Sequence, residues 1–499
     1  MVRDWLYDQA RLRPEHPALV APDGAEITYA ALERRVAKLC ARLRSAGVAP
    51  GARVLALLPT GTALVELVHA AARAGVALAP VDPRATVDEA LRAAAMVRPR
   101  VVVAAEGAAA AASAVAERYH SVSWVGGADD APLGSLPCEV KPLDADTPRI
   151  DLAAPYTIVM TSGTSGRPRA VVLSAGNHLA SARASAARLG VRADERWLAC
   201  LPLHHVGGLA LLLRAVVSGT TVVLQRGFSI DAVLDALRER RVTQLSVVPT
   251  MLRRLLAAPG AAPHGLRTLL LGGARAELAL VRDARAAGWP VAPTYGMTEA
   301  CSQVATARPC DDVPHEGFVG RPLDGTQVRV RREDGTLAAP GEVGDLEISG
   351  PTIAAAVLDE SGRAQPLAPD GWLRTADRGA LDADGCLTVL GRADDVIVTG
   401  GENVAPEEVE GVLLEHPAIA DAGVAGVPDP EWGQAVCAWI VPRDGTAPSL
   451  EELRAACARR LARHKLPRRV IVTDVLPRTA SGKLRRRALV AALDSAGAS

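Results

Sequence analysis

A chain of 499 residues exceeds the size at which one hydrophobic core keeps growing, so two or more domains are expected. Apolar residues make up 49% of it, enough for large cores, and 56 basic residues face 56 acidic ones. That balance leaves no global field to favour nucleic acid or an anionic membrane, and no apolar run approaches the ~20 residues that span a bilayer. Neither nucleic-acid binding nor membrane insertion is expected.

The opening MVRDWLYDQARLRPEHP carries acids and lacks an apolar signal segment, which predicts a cytoplasmic protein. From 52 to 125 short apolar runs alternate with helical patterns: RVLALL, a helix over 62–73, ALAPV, a helix over 87–96, then RVVVA. Such alternation predicts parallel strands joined by crossover helices. The alanine-rich stretch that follows predicts a further helix rather than a linker. A second alternating block runs from 197 to 294, where Ile230, Val233, Leu234 and Leu237 fall at the spacing of an amphipathic helix. Beyond about 317, turn signals such as EDGT, APGEVGD and DADG predict a β-rich subdomain. The text GRADDVI breaks that pattern, and a smaller α+β region follows, with Ser449 and Glu452 forming a capping-box signature. The expected fold is α/β: a large N-terminal domain, 1–391, of two α/β sheet subdomains plus a β-rich subdomain, and a small mobile α+β C-terminal domain, 392–499.

Cys40, Cys138, Cys200, Cys301, Cys310, Cys386, Cys437 and Cys457 show no C-x-x-C pair and no zinc-ligand spacing, which predicts reduced, buried thiols. Only four basic residues are lysines: Lys38, Lys141, Lys465 and Lys483. A lysine retained in so arginine-rich a background marks a position worth attention.

The stretch MTSGTSGRPRAVVLS places Thr161, Ser162, Gly163, Thr164, Ser165 and Gly166 between two apolar runs. Free backbone N–H groups and hydroxyls without bulk are what a loop needs to wrap a polyphosphate, although a polar hairpin turn would read the same way. A Walker-type loop would need a lysine and a following helix. Here no lysine follows, and AVVLS predicts a strand.

With YGMTEA at 295–300, RTAD at 374–377, GRADDVI at 391–397 and RTASGKLRRRAL at 478–489, the chain resembles, in order, the acyl-adenylate-forming superfamily of acyl-CoA synthetases, luciferases and adenylation domains. The resemblance implies an AMP-forming acid–thiol ligase using ATP, Mg²⁺ and coenzyme A on a small carboxylic acid. Thr161, Ser162, Gly163, Thr164, Ser165, Gly166 and Arg169 would grip the phosphates. Gly272, Gly273, Ala274, Thr294, Tyr295, Gly296, Met297 and Thr298 would line the nucleotide, with Tyr295 stacked on adenine. Glu299 would hold Mg²⁺, Asp377 and Arg392 the ribose, and Lys483 would join carboxylate to α-phosphate. Asp394 would be the hinge on which the small domain swings to bring TGGEN, at 399–403, toward the CoA channel. A homodimer is compatible with the resemblance.

The acid pocket resembles the o-succinylbenzoate:CoA ligase branch in LPLHHVGGLALLLRAVVSGTTVVL, LLLGGARAE and YGMTEACSQVAT, which implies His205, Gly207, Arg214, Ser302 and Gln303 as substrate residues and a place in menaquinone biosynthesis. A packing or capping residue before VGG is the alternative reading of His205. Arg214 interrupts an apolar helix, where an unpaired charge is costly; a dicarboxylate, an internal acid or an escape to the surface would each resolve it. Aryl- or fatty-acyl:CoA synthetases and free-standing carrier-loading enzymes remain alternatives. The chain departs from the superfamily pattern at Arg169 and Ala170, where Lys and Gly are usual, and at Ala376, where Gly is usual; alanine does not adopt positive φ easily.

Overall fold

The computed structural model describes residues 1–126, 147–161, 169–258, 265–392, 395–399, 402–430, 432–461, 463–479 and 482–496. The expectations placed on Cys138, Ser162, Gly163, Thr164, Ser165, Gly166 and Asp394, and on part of TGGEN, lie outside them.

Three strands of continuous apolar text, Arg53–Leu57, Ala77–Pro80 and Val101–Ala105, pair in parallel at the centre of an eight-stranded sheet among the described residues. Strands covered on both faces need this unbroken hydrophobicity. The crossover helices Thr62–Ala74 and Val87–Val97 fall where the periodicity predicts them, and the alanine-rich stretch forms Ala109–Tyr119. Every residue of Thr62–Ala74 is buried. Its one buried cation, Arg73, is matched by Asp4 at 2.8 Å and Glu33 at 2.6 Å, so the charge is paired rather than stranded. Pro155–Thr161 joins this sheet parallel to Ala77–Pro80 and turns back antiparallel as Arg169–Ser174.

The second alternating block forms the parallel strands Arg196–Ala199, Thr221–Leu224, Gln244–Val247, Thr268–Leu271 and Val291–Met297. Ser302–Thr306 pairs antiparallel with the last of them, and through Phe318–Pro322 the β-rich region is hydrogen-bonded onto the same sheet, a path of thirteen strands among the described residues. Carboxyl ends of parallel strands are where α/β folds collect their ligand-binding loops. Thr161, Gly272 and Met297 stand at such ends.

Ile397–Thr399, Glu402–Val404, Ile419–Asp429, Gly433–Pro442 and Arg469–Val472 build a separate five-stranded sheet with its own core around Val424, Val436 and Leu453. The helix Leu450–Ala458 begins with the capping box expected at Ser449 and Glu452. No described helix is long and apolar enough to cross a membrane.

Two expectations are corrected. The seven described cysteines are all free, but only five are buried: Cys310 is exposed and Cys386 half-buried, because both lie in turns rather than in core strands or helices. The concern over Ala170 does not apply, since it sits in extended backbone within Arg169–Ser174, fully buried, and no positive φ is asked of it.

Ala376 is different: its φ is +59°, in the left-handed region. A β-carbon there costs about 1 kcal/mol. Ala376→Gly is therefore expected to stabilise the chain by up to about 1 kcal/mol, the glycine's extra unfolded-state freedom offsetting part of the relief. Denaturant unfolding of the two chains measures it.

Candidate active site

The strand Leu373–Leu381 carries Asp377 opposite Arg392 of Leu387–Arg392, so pairing register alone brings an acid and a base together. Tyr295, near the end of Val291–Met297, donates its hydroxyl to Asp377 Oδ2 at 2.6 Å. The phenol expected to offer only its face thus also holds one oxygen of the carboxylate. Burial raises the Asp377 pKa, with Glu299 adding to the rise and the Tyr295 hydrogen bond, Arg392 and Lys483 opposing it.

Lys483 reaches this cluster from the small domain. It closes a tight turn in which Thr479 N–H donates to the Lys483 carbonyl at 2.8 Å and Lys483 N–H to Thr479 Oγ1 at 3.1 Å. Arg478 clamps the turn, donating to the Gly482 carbonyl at 2.9 Å and to Asp421 at 2.7 Å. A methyl on Gly482 would lie 3.1 Å from Val248 Cγ2 and 3.4 Å from Thr250 Oγ1, so the turn is seated directly on the large domain. Lys483 keeps exposed surface, yet the protein around its ammonium desolvates it and lowers its pKa; Asp377 and Glu299 raise it, and Arg392 lowers it further. Lys465, by contrast, is bound to Glu408 at 2.7 Å and is not free for chemistry.

Glu299 lies in the short 3₁₀ turn Thr298–Ala300 with its carboxylate unpaired among the described residues, half-buried beside Asp377 and Lys483. No described group of three or more His, Cys, Asp or Glu could hold a metal by itself. A single carboxylate beside an expected phosphate path suits Mg²⁺, which keeps waters and shares phosphate oxygens.

Thr161 ends Pro155–Thr161 directly opposite Arg169, which begins the returning strand, so the described flanks hold the two ends of 162–168 side by side. Thr161 Oγ1 is buried with no partner among the described residues. An orphaned buried hydroxyl at that mouth fits a missing ligand. Gly272, Gly273 and Ala274 follow the strand Thr268–Leu271, with Gly272 lying against Thr294. At Gly296 a β-carbon would fall 1.8 Å from the Ser302 carbonyl, so only glycine lets the strands before and after Glu299 close. Met297 ends its strand and Thr298 opens the turn bearing Glu299.

The acid-pocket candidates separate. Arg214, on the helix Val206–Ser218, is 5% exposed, so it does not escape to the surface. It has no acidic partner among the described residues. Its Nη2 donates to Ser302 Oγ at 3.0 Å, its guanidinium lies 5.9 Å from the Trp197 ring centre, and its Nε is unsatisfied. Burial lowers its pKa to about 10. Ser302 holds φ +98°, a conformation unusual for serine, at the same contact. Gln303 is buried but donates along the strand to Thr306 Oγ1 at 2.7 Å, with its Oε1 unpartnered.

His205 precedes the same helix but makes no capping bond, and its buried Nε2 has no partner. Burial lowers its pKa, as does the charge of Lys483, while Asp82 opposes. Gly207 lies in the helix's first turn, against Leu201. Sequence reading missed His204 and Asp82: the two histidine rings are 4.4 Å apart, and His204 Nε2 lies 3.9 Å from Asp82 Oδ2. The double His before an apolar helix, and VDPR after a strand, were the available signals.

The chain as a whole resembles known proteins. The model of the AMP-binding enzymes matches residues 6–357, and that of the AMP-binding enzyme C-terminal domain matches 408–483. The chain is 36% identical to the 2-succinylbenzoate–CoA ligase of Bacillus licheniformis over 97% of this chain and 99% of that one. It is similar to the o-succinylbenzoate CoA synthetase of Bacillus subtilis, solved with its acyl-adenylate intermediate: TM-score 0.88, 34% identity, 98% of each chain covered. The same enzyme with ATP and magnesium gives a TM-score of 0.87 at 34% identity over 97% of this chain and 98% of that one. Its double mutant with a CoA product analogue gives 0.71 at 35% identity over 98% of each. Matched through both halves, with its tail lysine seated beside the acids of the large domain, the chain belongs to the AMP-binding enzyme family.

Proposed function

We propose that the chain is an AMP-forming acid–CoA ligase whose acid is 2-succinylbenzoate. The observation that carries the reaction is the seating of Lys483, borne by the small domain, beside Asp377, Arg392 and Glu299. A substrate carboxylate and the α-phosphate of ATP repel each other, and an ammonium between them offsets that charge most where oxygen and phosphorus begin to bond. The carboxylate oxygen attacks the α-phosphorus, the bond to pyrophosphate breaks, and acyl-adenylate remains. Thr161 and the residues that follow it to Arg169 hold the phosphates, Asp377 accepts from the ribose, and Tyr295 fixes the Asp377 carboxylate while presenting its ring to adenine. Mg²⁺ held by Glu299 would supply charge compensation on phosphate oxygens.

The CoA sulfur then attacks the acyl carbon as thiolate and AMP leaves. Lys483 occupies the approach in the first step, so the small domain, 392–499, turns about Asp394 between the two. Support comes from the Bacillus subtilis enzyme, whose adenylate and CoA-analogue complexes resemble this chain to such different degrees.

Arg214 supports the substrate. A guanidinium buried without an acid, one donor on Ser302 and another vacant, suits a second carboxylate reached directly or through water. Thioester formation assayed with 2-succinylbenzoate, benzoate and hexadecanoate tests the choice. A kcat/KM for 2-succinylbenzoate at least about 10²-fold above the others is expected; equal or higher values for a monocarboxylate would reject it.

Because burial lowers the Lys483 pKa, its charge is lost as pH rises through a value below the ordinary 10.5. Single-turnover adenylation should therefore fall on the alkaline side earlier than a solvated lysine would dictate. In Lys483→Arg the slower rate should keep no such limb, since arginine stays charged.

A further inference from the structure

At the starts of the central strands of the first sheet lies an open pocket of about 550 Å³, bounded by Arg53, Arg98, Arg100 and Arg363 with no acid on its walls. Arg53 begins one parallel strand and Arg100 immediately precedes another, at the edge opposite to that on which Thr161 ends its own strand, so the pocket is separate from the nucleotide site. Its volume is that of small-molecule sites.

Arg53 builds the floor. Its guanidinium donates to the carbonyls of Met96, Val97 and Gly362 at 3.4, 3.1 and 3.4 Å, closing the end of the helix Val87–Val97 against the turn at 359–363. Arg98 crosses that turn at Gly362, where an added methyl would meet the Met96 carbonyl at 2.9 Å and Arg98 Cδ at 3.1 Å. Glycine there leaves room for the arginine's stem. The side chains of Arg98, Arg100 and Arg363 have no hydrogen bond or ion pair among the described residues. The nearby Asp359 does not neutralise them: its Oδ1 accepts from Ser361 N at 2.8 Å, Ser361 Oγ at 2.6 Å and Arg363 N at 3.0 Å, committing it to its own turn. Burial and the charge of Arg98 both lower the pKa of Arg53, the signature of cations gathered without a counter-ion.

We propose that this pocket binds a small soluble anion bearing two or more phosphoryl groups. Guanidinium forks each pair with two oxygens, so three unengaged arginines offer more donor pairs than one phosphate can fill. An acidic surface on another protein would need flat access, whereas these arginines surround a concavity.

Equilibrium dialysis of the full chain against radiolabelled inorganic pyrophosphate, at an ionic strength of about 0.1 M, tests this by counting sites. Two per chain are expected in the wild type, one at the nucleotide site and one here. Arg98→Ser with Arg363→Ser should weaken the second at least about tenfold while leaving the first and the melting temperature unchanged. Arg118→Ser with Arg282→Ser, exposed arginines elsewhere, should retain both. A single wild-type site, or equal loss in both pairs of variants, would overturn the proposal. So would absence of pyrophosphate binding together with Arg98- and Arg363-dependent sedimentation on phosphatidylinositol-bisphosphate vesicles, which would assign the pocket to a lipid headgroup.

Discussion

Replacing Lys483 with alanine is expected to slow acyl-adenylate formation by about 10²–10³-fold, the range found when one preorganised donor to a developing charge is removed. The effect should be confined to the first half-reaction. Supplied with synthetic acyl-adenylate, Lys483→Ala is expected to form thioester from CoA at close to the wild-type rate, since in the proposed mechanism the lysine leaves the site before the second step. The fold is expected to be unaffected: the side chain makes no ion pair among the described residues, and the turn that bears it is held by backbone bonds to Thr479 and by the Arg478–Asp421 clamp. Rapid-quench measurement of each half-reaction separates the two steps.

Arg214→Met is expected to move stability and activity in opposite directions. A cation 5% exposed, without an acid, with one donor on Ser302 and its Nε unsatisfied, is a desolvation cost that the folded chain carries. A methionine of similar length removes the charge, and such replacements are neutral or stabilise by about 1 kcal/mol or more. The same change removes the partner for a second carboxylate, so kcat/KM for 2-succinylbenzoate should fall by about 10²-fold. Activity on a monocarboxylic benzoate should change far less. Thermal unfolding beside the two kinetic ratios checks this; a purely structural Arg214 would lose stability and spare the ratio.

The sheets were legible because their strands are unbroken apolar runs and their helices keep strict periodicity, as in 53–57 and Val87–Val97. The ordered motifs identified the family because their residues are spread over the chain yet share one chemistry. What the text did not give was contact between distant elements. Tyr295 and Asp377 are 82 positions apart, and only the register of two antiparallel strands and a third strand's end makes them a hydrogen-bonded pair. Arg214 read as an anomaly with three solutions; burial and the Ser302 contact required the third dimension. Likewise Ala376 and Ala170 looked alike as departures from glycine, but only one of them stands at positive φ. The basic pocket left no motif at all, since Arg53, Arg98, Arg100 and Arg363 belong to three separate segments.

The central claim is that one ammonium, seated from the small domain, must be present for the first step and absent for the second. Gly482 and Thr250 approach closely enough, 3.4 Å from a β-carbon position to Oγ1, for a disulfide between Gly482→Cys and Thr250→Cys to hold the seat shut. Oxidised, that variant should form one equivalent of acyl-adenylate and stall before thioester, and reductant should restore turnover. Full thioester synthesis by the cross-linked chain would contradict the account.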